Sequence, residues 1–173
     1  MGGLDLKCEF QNKINGVLVV AAQEGATKTV EALLDIGADV HTDDDAALRW
    51  AAGMGHTKTV QVLLGRGADI HAADEMALVV AAGKGYTETV EALLNNGADV
   101  HACDDEALRW AAEEGHTEVV RTLLDKGADV HADNDTALHN AALHGHAETL
   151  QVLQNAVTPA SPQPIQTPAP DLS

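Results

Sequence analysis

Apolar residues recur along this chain in short stripes, each closed by a glycine. In the block from residue 45 to 71, DAALRWAAGMGHTKTVQVLLGRGADIH, Leu48, Ala51 and Ala52 stand at i, i+3 and i+4. Val60, Leu63 and Leu64 repeat that spacing. Each triplet is one apolar face of an amphipathic helix. Gly55 follows the first stripe and Gly67 the second, where a residue without a Cβ can end a helix. The block therefore predicts a short helix, a tight turn, a second helix from about Thr57, and a loop. Asp45 precedes the first stripe, where a carboxylate can cap the helix by accepting backbone N–H bonds. Asn15, Glu75, Asp105 and Asp135 hold the same place in other blocks.

The whole pattern repeats with a step of 30 residues. The string GAD-V/I-H ends at His41, His71, His101 and His131, and L-x-x-A-A starts at Leu18, Leu48, Leu78, Leu108 and Leu138. Blocks one and three share LVVAA and TVEALL, whereas blocks two and four share ALRWAA. This is the mark of a duplicated two-block unit. Neither helix of a block can bury its stripe alone, so the blocks must stack on one another.

The segment G-H-T-x-x-V-x-x-L-L-x-x-G-A-D-V resembles the ankyrin repeat, in five in-register copies over about residues 11–157. The resemblance implies an all-α solenoid of stacked helix-turn-helix repeats. The expected organisation is an ankyrin-type domain at 1–157: an N-terminal half repeat at 1–12, then repeats at about 13–41, 42–71, 72–101, 102–131 and 132–157. Ankyrin repeats run about 33 residues, and these run 30. The shortage falls between GAD-V-H and the next helix, where the family makes a projecting β-hairpin. Only TDDD, AADE, ACDD or ADND remains, which predicts short acidic loops with little or no hairpin.

At the N-terminus, Leu4 to Gln11 align with Leu34 to His41, which predicts the degenerate half repeat, packed through Leu4, Leu6 and Phe10. At the other end, Gln151, Gln154 and Asn155 would turn a polar face to water, as a terminal repeat requires. Residues 158–173 hold all five prolines and read as an extended or disordered tail. Its P-x-x-P at Pro159 to Pro162 lacks basic flanks. Its end, Pro170-Asp171-Leu172-Ser173, is similar to a corepressor-binding P-x-D-L-S motif but has Ala169 where that motif has proline.

Charge narrows the partners. Lysine and arginine number 10 against 27 aspartates and glutamates, a net charge of −17. That argues against nucleic-acid phosphate or anionic lipid as a partner and favours a basic protein partner. No apolar run approaches the ~18 residues of a membrane span. The start, MGGLDLK, lacks the basic and apolar regions of a secretory signal, and Leu6 stands where a myristoylation signal has Ser or Thr. Cys8 and Cys103 form no metal or disulfide pattern and read as free thiols in a reducing, cytoplasmic setting.

Catalytic chemistry finds no footing here. Serine occurs only at Ser161 and Ser173, and no glycine-rich phosphate loop, G-x-S-x-G or H-E-x-x-H occurs. The rungs of the ladder His41, His71, His101 and His131 are separated by about one helix layer, ~8–10 Å, too far to share one metal ion at ~2 Å ligand distances. They replace the Asn that follows GADV in the family, a side chain able to tie down the loop. His56, His116 and His146 share a slot with Ala26 and Tyr86, which marks local structure. His139, His144 and His146 cluster in the last block without a carboxylate pair. The expectation is a non-enzyme with no metal and no cofactor.

By resemblance, a partner binds the concave groove, to which the end of each first helix and the loops contribute. The candidates are Arg49, Trp50, Met54, Lys84, Arg109, Trp110, Glu113, Glu114 and His144 on the helices, and Asp43, Asp44, Asp74 and Asp104 on the loops. Arg and Trp are typical interface hot spots, and Trp50 with Met54 at i+4 makes an apolar spot. Val20 and Val80 fill the Trp slot elsewhere, so the tryptophans read either as groove wall and core or as partly exposed anchors. The function expected is a monomeric, non-catalytic protein-binding scaffold. The alternative is an acidic inhibitor or immunity-type protein that blocks a basic active site or nucleic-acid cleft.

Overall fold

The computed structural model describes residues 3–157, with side chains from Lys7 onward. The proline-rich segment 158–173 and the side chains of Leu4 and Leu6 thus lie outside the described residues. The described chain forms ten helices and no strand. They are α1 (Gly3–Gln23), α2 (Thr27–Asp35), α3 (Thr42–Gly53), α4 (Thr57–Gly65), α5 (Ala72–Gly83), α6 (Thr87–Asn95), α7 (Ala102–Glu113), α8 (Thr117–Asp125), α9 (Ala132–Leu143) and α10 (Ala147–Val157). Odd-numbered helices pack side by side in one layer, even-numbered helices in a second, and each pair closes as a hairpin.

The apolar stripes account for this stacking. Leu18, Leu48, Leu78 and Leu108 are buried in the odd layer, and Leu63, Leu93, Leu123 and Leu153 in the even layer. The alanine pairs at 51–52, 81–82 and 111–112 are buried too, so neighbouring odd helices approach closely. The turn inside each pair needs a glycine for two reasons. Gly55 has φ +71, and a Cβ there would lie 2.6 Å from the Tyr86 ring of the next repeat. His56, His116 and His146 cover Gly25, Gly85 and Gly115 in the same way, and each Nε2–H donates to a carbonyl of the preceding repeat, at Gln23 (3.0 Å), Gly83 (3.1 Å) and Glu113 (2.8 Å).

The shortened loop has an unexpected form. Three successive residues at the start of each later odd helix take left-handed backbone: Asp43–Asp45, Ala73–Glu75, Cys103–Asp105 and Asp133–Asp135, with φ from 48° to 63°. The right-handed helix begins only after them. A left-handed L-residue costs about 1–2 kcal/mol, least for Asp and Asn, whose short polar side chains tolerate that region. Nine of these twelve positions are Asp or Asn, so the acidic loops have a backbone reason.

That conformation also changes the role expected for Asp45. Its carboxylate does not cap its own helix. Instead Oδ1 accepts from the backbone N–H of Asp69 at 2.9 Å, in the loop that follows the same helix pair. Asn15 does this for Asp39 (2.9 Å), Glu75 for Asp99 (3.1 Å) and Asp105 for Asp129 (2.9 Å), always 24 residues on. For Asp135, in the last repeat, the position 24 residues on lies outside the described residues, and its carboxylate is bonded to His131. The second carboxylate oxygen of Asp45 meets His41 Nδ1 at 3.2 Å, and His101 meets Asp105 at 3.3 Å. The His ladder thus ties down the loops.

The N-terminus differs from the half repeat that the alignment suggests. α1 runs from Gly3 to Gln23 without a break, and Phe10 is 59% exposed. Gly37 takes φ +93 where the other loops turn out of the helix, and Lys7 holds the aligned position. Without that glycine the helix continues, and residues 3–12 extend the first helix of repeat one.

Candidate functional site

Seven of the candidate groove residues line two recesses at the C-terminal ends of the odd helices, whereas Arg109, His144 and the four loop aspartates line neither. The first lies between α3 and α5, has a volume of about 280 Å³, and is lined by Arg49, Trp50, Gly53, Met54, Met76, Val80 and Lys84. Trp50 is 46% exposed and Met54 40%. Each keeps one side against the fold and the other in solvent, the half-wet placement that suits an aromatic anchor. Val80 packs closely on Gly53, where a Cβ would lie 3.4 Å from its side chain, so the two helices meet tightly at that point.

The second recess, of about 180 Å³, is lined by Trp110, Glu113 and Glu114. Trp110 is 44% exposed and lies across Gly83 of the preceding repeat, where a Cβ would come within 2.8 Å of its ring. Asn140 donates to Glu113 Oε2 at 3.3 Å, so the wall facing Trp110 is polar where Met76 and Val80 make the first recess apolar. One repeated plan thus yields an apolar recess and an acidic one.

Both arginines serve the loops, and of the two only Arg49 also lines a recess. Arg49 donates to the carbonyls of Asp43 (2.7 Å) and Asp44 (3.1 Å). Arg109 donates to the carbonyl of Cys103 (2.9 Å) and pairs with the Asp133 carboxylate of the next repeat (3.0 Å). Both guanidiniums thus satisfy carbonyls of the left-handed turns. The candidate loop residues Asp43, Asp44, Asp74 and Asp104 all lie in those turns and line neither recess.

His144 stacks on His146 with ring centroids 6.2 Å apart, and its Nδ1–H donates to the Asn140 carbonyl at 3.0 Å. His139 donates likewise to Asp135 (3.0 Å). Among the described residues no group of three or more His, Cys, Asp or Glu is arranged to hold a metal ion. The hydrogen bond from His71 to Glu75 raises the His71 pKa above the usual 6.5, against an opposing effect of burial and with help from the negative charges of Glu75, Asp69 and Asp99.

Residue pattern reasoning missed Met76 and Val80. The signal for Met76 was variation within the chain: Ala46, Glu106 and Thr136 fill the same slot in other repeats.

The helix pairs, the glycine turns and the loop ties all repeat with the stacked register of one family. The family model for ankyrin repeats matches residues 4–74 and 76–161, in three copies. The chain belongs to the ankyrin repeat family. Ankyrin repeats are generally protein–protein interaction modules, and their all-helical fold is typically non-catalytic. No curated protein matches the chain. No described helix of this ankyrin array is long and apolar enough to cross a membrane.

Proposed function

We propose that this ankyrin array is a non-catalytic scaffold that grips a partner protein through the ends of its odd helices, with the recess between α3 and α5 as the anchor site. The observation that carries this reading is the half-exposed pair Trp50 and Met54 facing Met76 and Val80 across a recess of about 280 Å³. Apolar side chains held open on a rigid stack lose little entropy when a partner covers them. Arg49 and Lys84 add cationic rim groups, and Trp110, Glu113 and Glu114 extend the surface toward the last repeat.

The acidic-inhibitor alternative has weaker support. The aspartates it would use, Asp43, Asp44, Asp74 and Asp104, sit where left-handed backbone already favours Asp. Their charge still attracts basic partners at long range. The exposed thiols of Cys8 and Cys103 fit a reducing, cytoplasmic setting.

Affinity capture from the native cell, with wild type beside Trp50→Ala plus Met54→Ala, tests the scaffold. Saturable partners should be lost with the double variant. Retention of all of them, with the variant still folded by circular dichroism, refutes the site.

A further inference from the structure

One row of side chains crosses the groove at equivalent positions of the five repeats: Glu24, Met54, Lys84, Glu114 and His144. Glu24, Lys84 and Glu114 are exposed. Lys84 borders the apolar recess, and Arg49 adds a second positive charge on its opposite wall. Glu114 stands one repeat beyond Lys84, with Glu113 beside it at the second recess. Glu24 stands one repeat before Met54. The charge along the groove therefore alternates: negative, then an apolar recess with a positive rim, then negative.

From this alternation, and resting on the scaffold reading above, we infer the chemistry of the partner segment: a large apolar side chain flanked by acidic residues, with basic residues bracketing it on both sides. The apolar side chain enters between Trp50, Met54, Met76 and Val80. Its acidic neighbours meet Lys84 and Arg49. The basic residues meet Glu24 on one side and Glu113 and Glu114 on the other.

The repeat spacing sets the distances. Packed helices lie ~8–10 Å apart. The recess centre is about one and a half repeats from Glu24 and from Glu114, hence roughly 12–15 Å. An extended chain advances ~3.3 Å per residue, which places the basic residues about four to five positions from the anchor. The bracketed order reads the same in either chain direction.

Two synthetic peptides with blocked ends and identical composition test this. In Lys-Lys-Ser-Gly-Asp-Phe-Asp-Gly-Ser-Lys-Lys the anchor is flanked by acid and bracketed by base. In Lys-Asp-Ser-Gly-Lys-Phe-Lys-Gly-Ser-Asp-Lys the flanking charges are exchanged. Their net charge is equal, so general attraction to an acidic protein cancels. Fluorescence titration at low salt should show the first binding about tenfold more tightly or better, because like charges juxtaposed at a contact are disfavoured.

Lys84→Glu should abolish that preference by weakening the first peptide. The variant is more acidic overall, so a general charge effect would instead tighten both. Equal affinity of the two peptides overturns the charge order. If Trp50→Ala plus Met54→Ala weakens both equally, the anchor site stands without it. Binding of neither peptide at millimolar concentration overturns this partner chemistry, while the capture experiment above judges the scaffold independently.

Discussion

Replacing Asp45 by alanine removes one rung of the polar ladder between loops and leaves its neighbours intact. Asp45 is 3% exposed, and its Oδ1 is the acceptor for the Asp69 N–H at 2.9 Å. Without it that N–H loses its partner, at a cost of about 1–3 kcal/mol. Alanine also tolerates φ 54 less well than Asp, which adds up to about 1 kcal/mol. The expected loss is therefore about 1–4 kcal/mol. Asp45→Asn keeps both the acceptor and the tolerance for left-handed backbone. The chain supplies its own precedent, because Asn15 fills this slot and accepts from Asp39 at the same 2.9 Å. Its cost should stay below about 1 kcal/mol. Urea unfolding followed by circular dichroism measures both variants. Equal losses for alanine and asparagine, or an alanine loss under about 0.5 kcal/mol, would refute the role assigned to the ladder.

Ala73 lies at φ 51 with no polar side chain to suit that region, so Ala73→Gly should stabilise the fold by about 0.5–1 kcal/mol in the same urea assay. Gly55→Ala should destabilise strongly, by more than about 2 kcal/mol, because its Cβ would strike Tyr86 at positive φ. Gly65→Ala should stabilise by about 0.5–1 kcal/mol, since nothing lies within 4 Å of a Cβ there and the position is helical. His71 should titrate above 6.5 by NMR, and Glu75→Gln should lower that value. Because its folded pKa is raised, protonated His71 stabilises the fold below pH 6.5, and this contribution fades as pH rises through the raised value.

The helices and their order were legible in the spacing of Leu48, Ala51, Ala52, Val60 and Leu63, because burial follows the 3.6-residue period directly. Gly55 and Gly67 marked the turns for the same local reason. The form of the shortened loop was less legible. A run such as Asp43-Asp44-Asp45 looks like solvated charge, and only the backbone reveals three left-handed residues in succession. The partner of Asp45 was hidden as well: an acid before an apolar stripe has the pattern of a cap, and the competing N–H of Asp69 comes close only once the loop turns. At the groove, Trp50 and Met54 showed themselves by spacing along one helix. Met76 and Val80 join them from the neighbouring helix, a relation between repeats that no single-helix pattern contains.

The central claim is that Trp50 and its recess seat the partner. Its most direct measurement is the indole N–H resonance of Trp50, followed beside that of Trp110 while a captured partner is titrated into labelled protein. The expected result is a saturable shift of the Trp50 signal with the same dissociation constant as the binding isotherm. An unmoved Trp50 signal at saturation would contradict the claim.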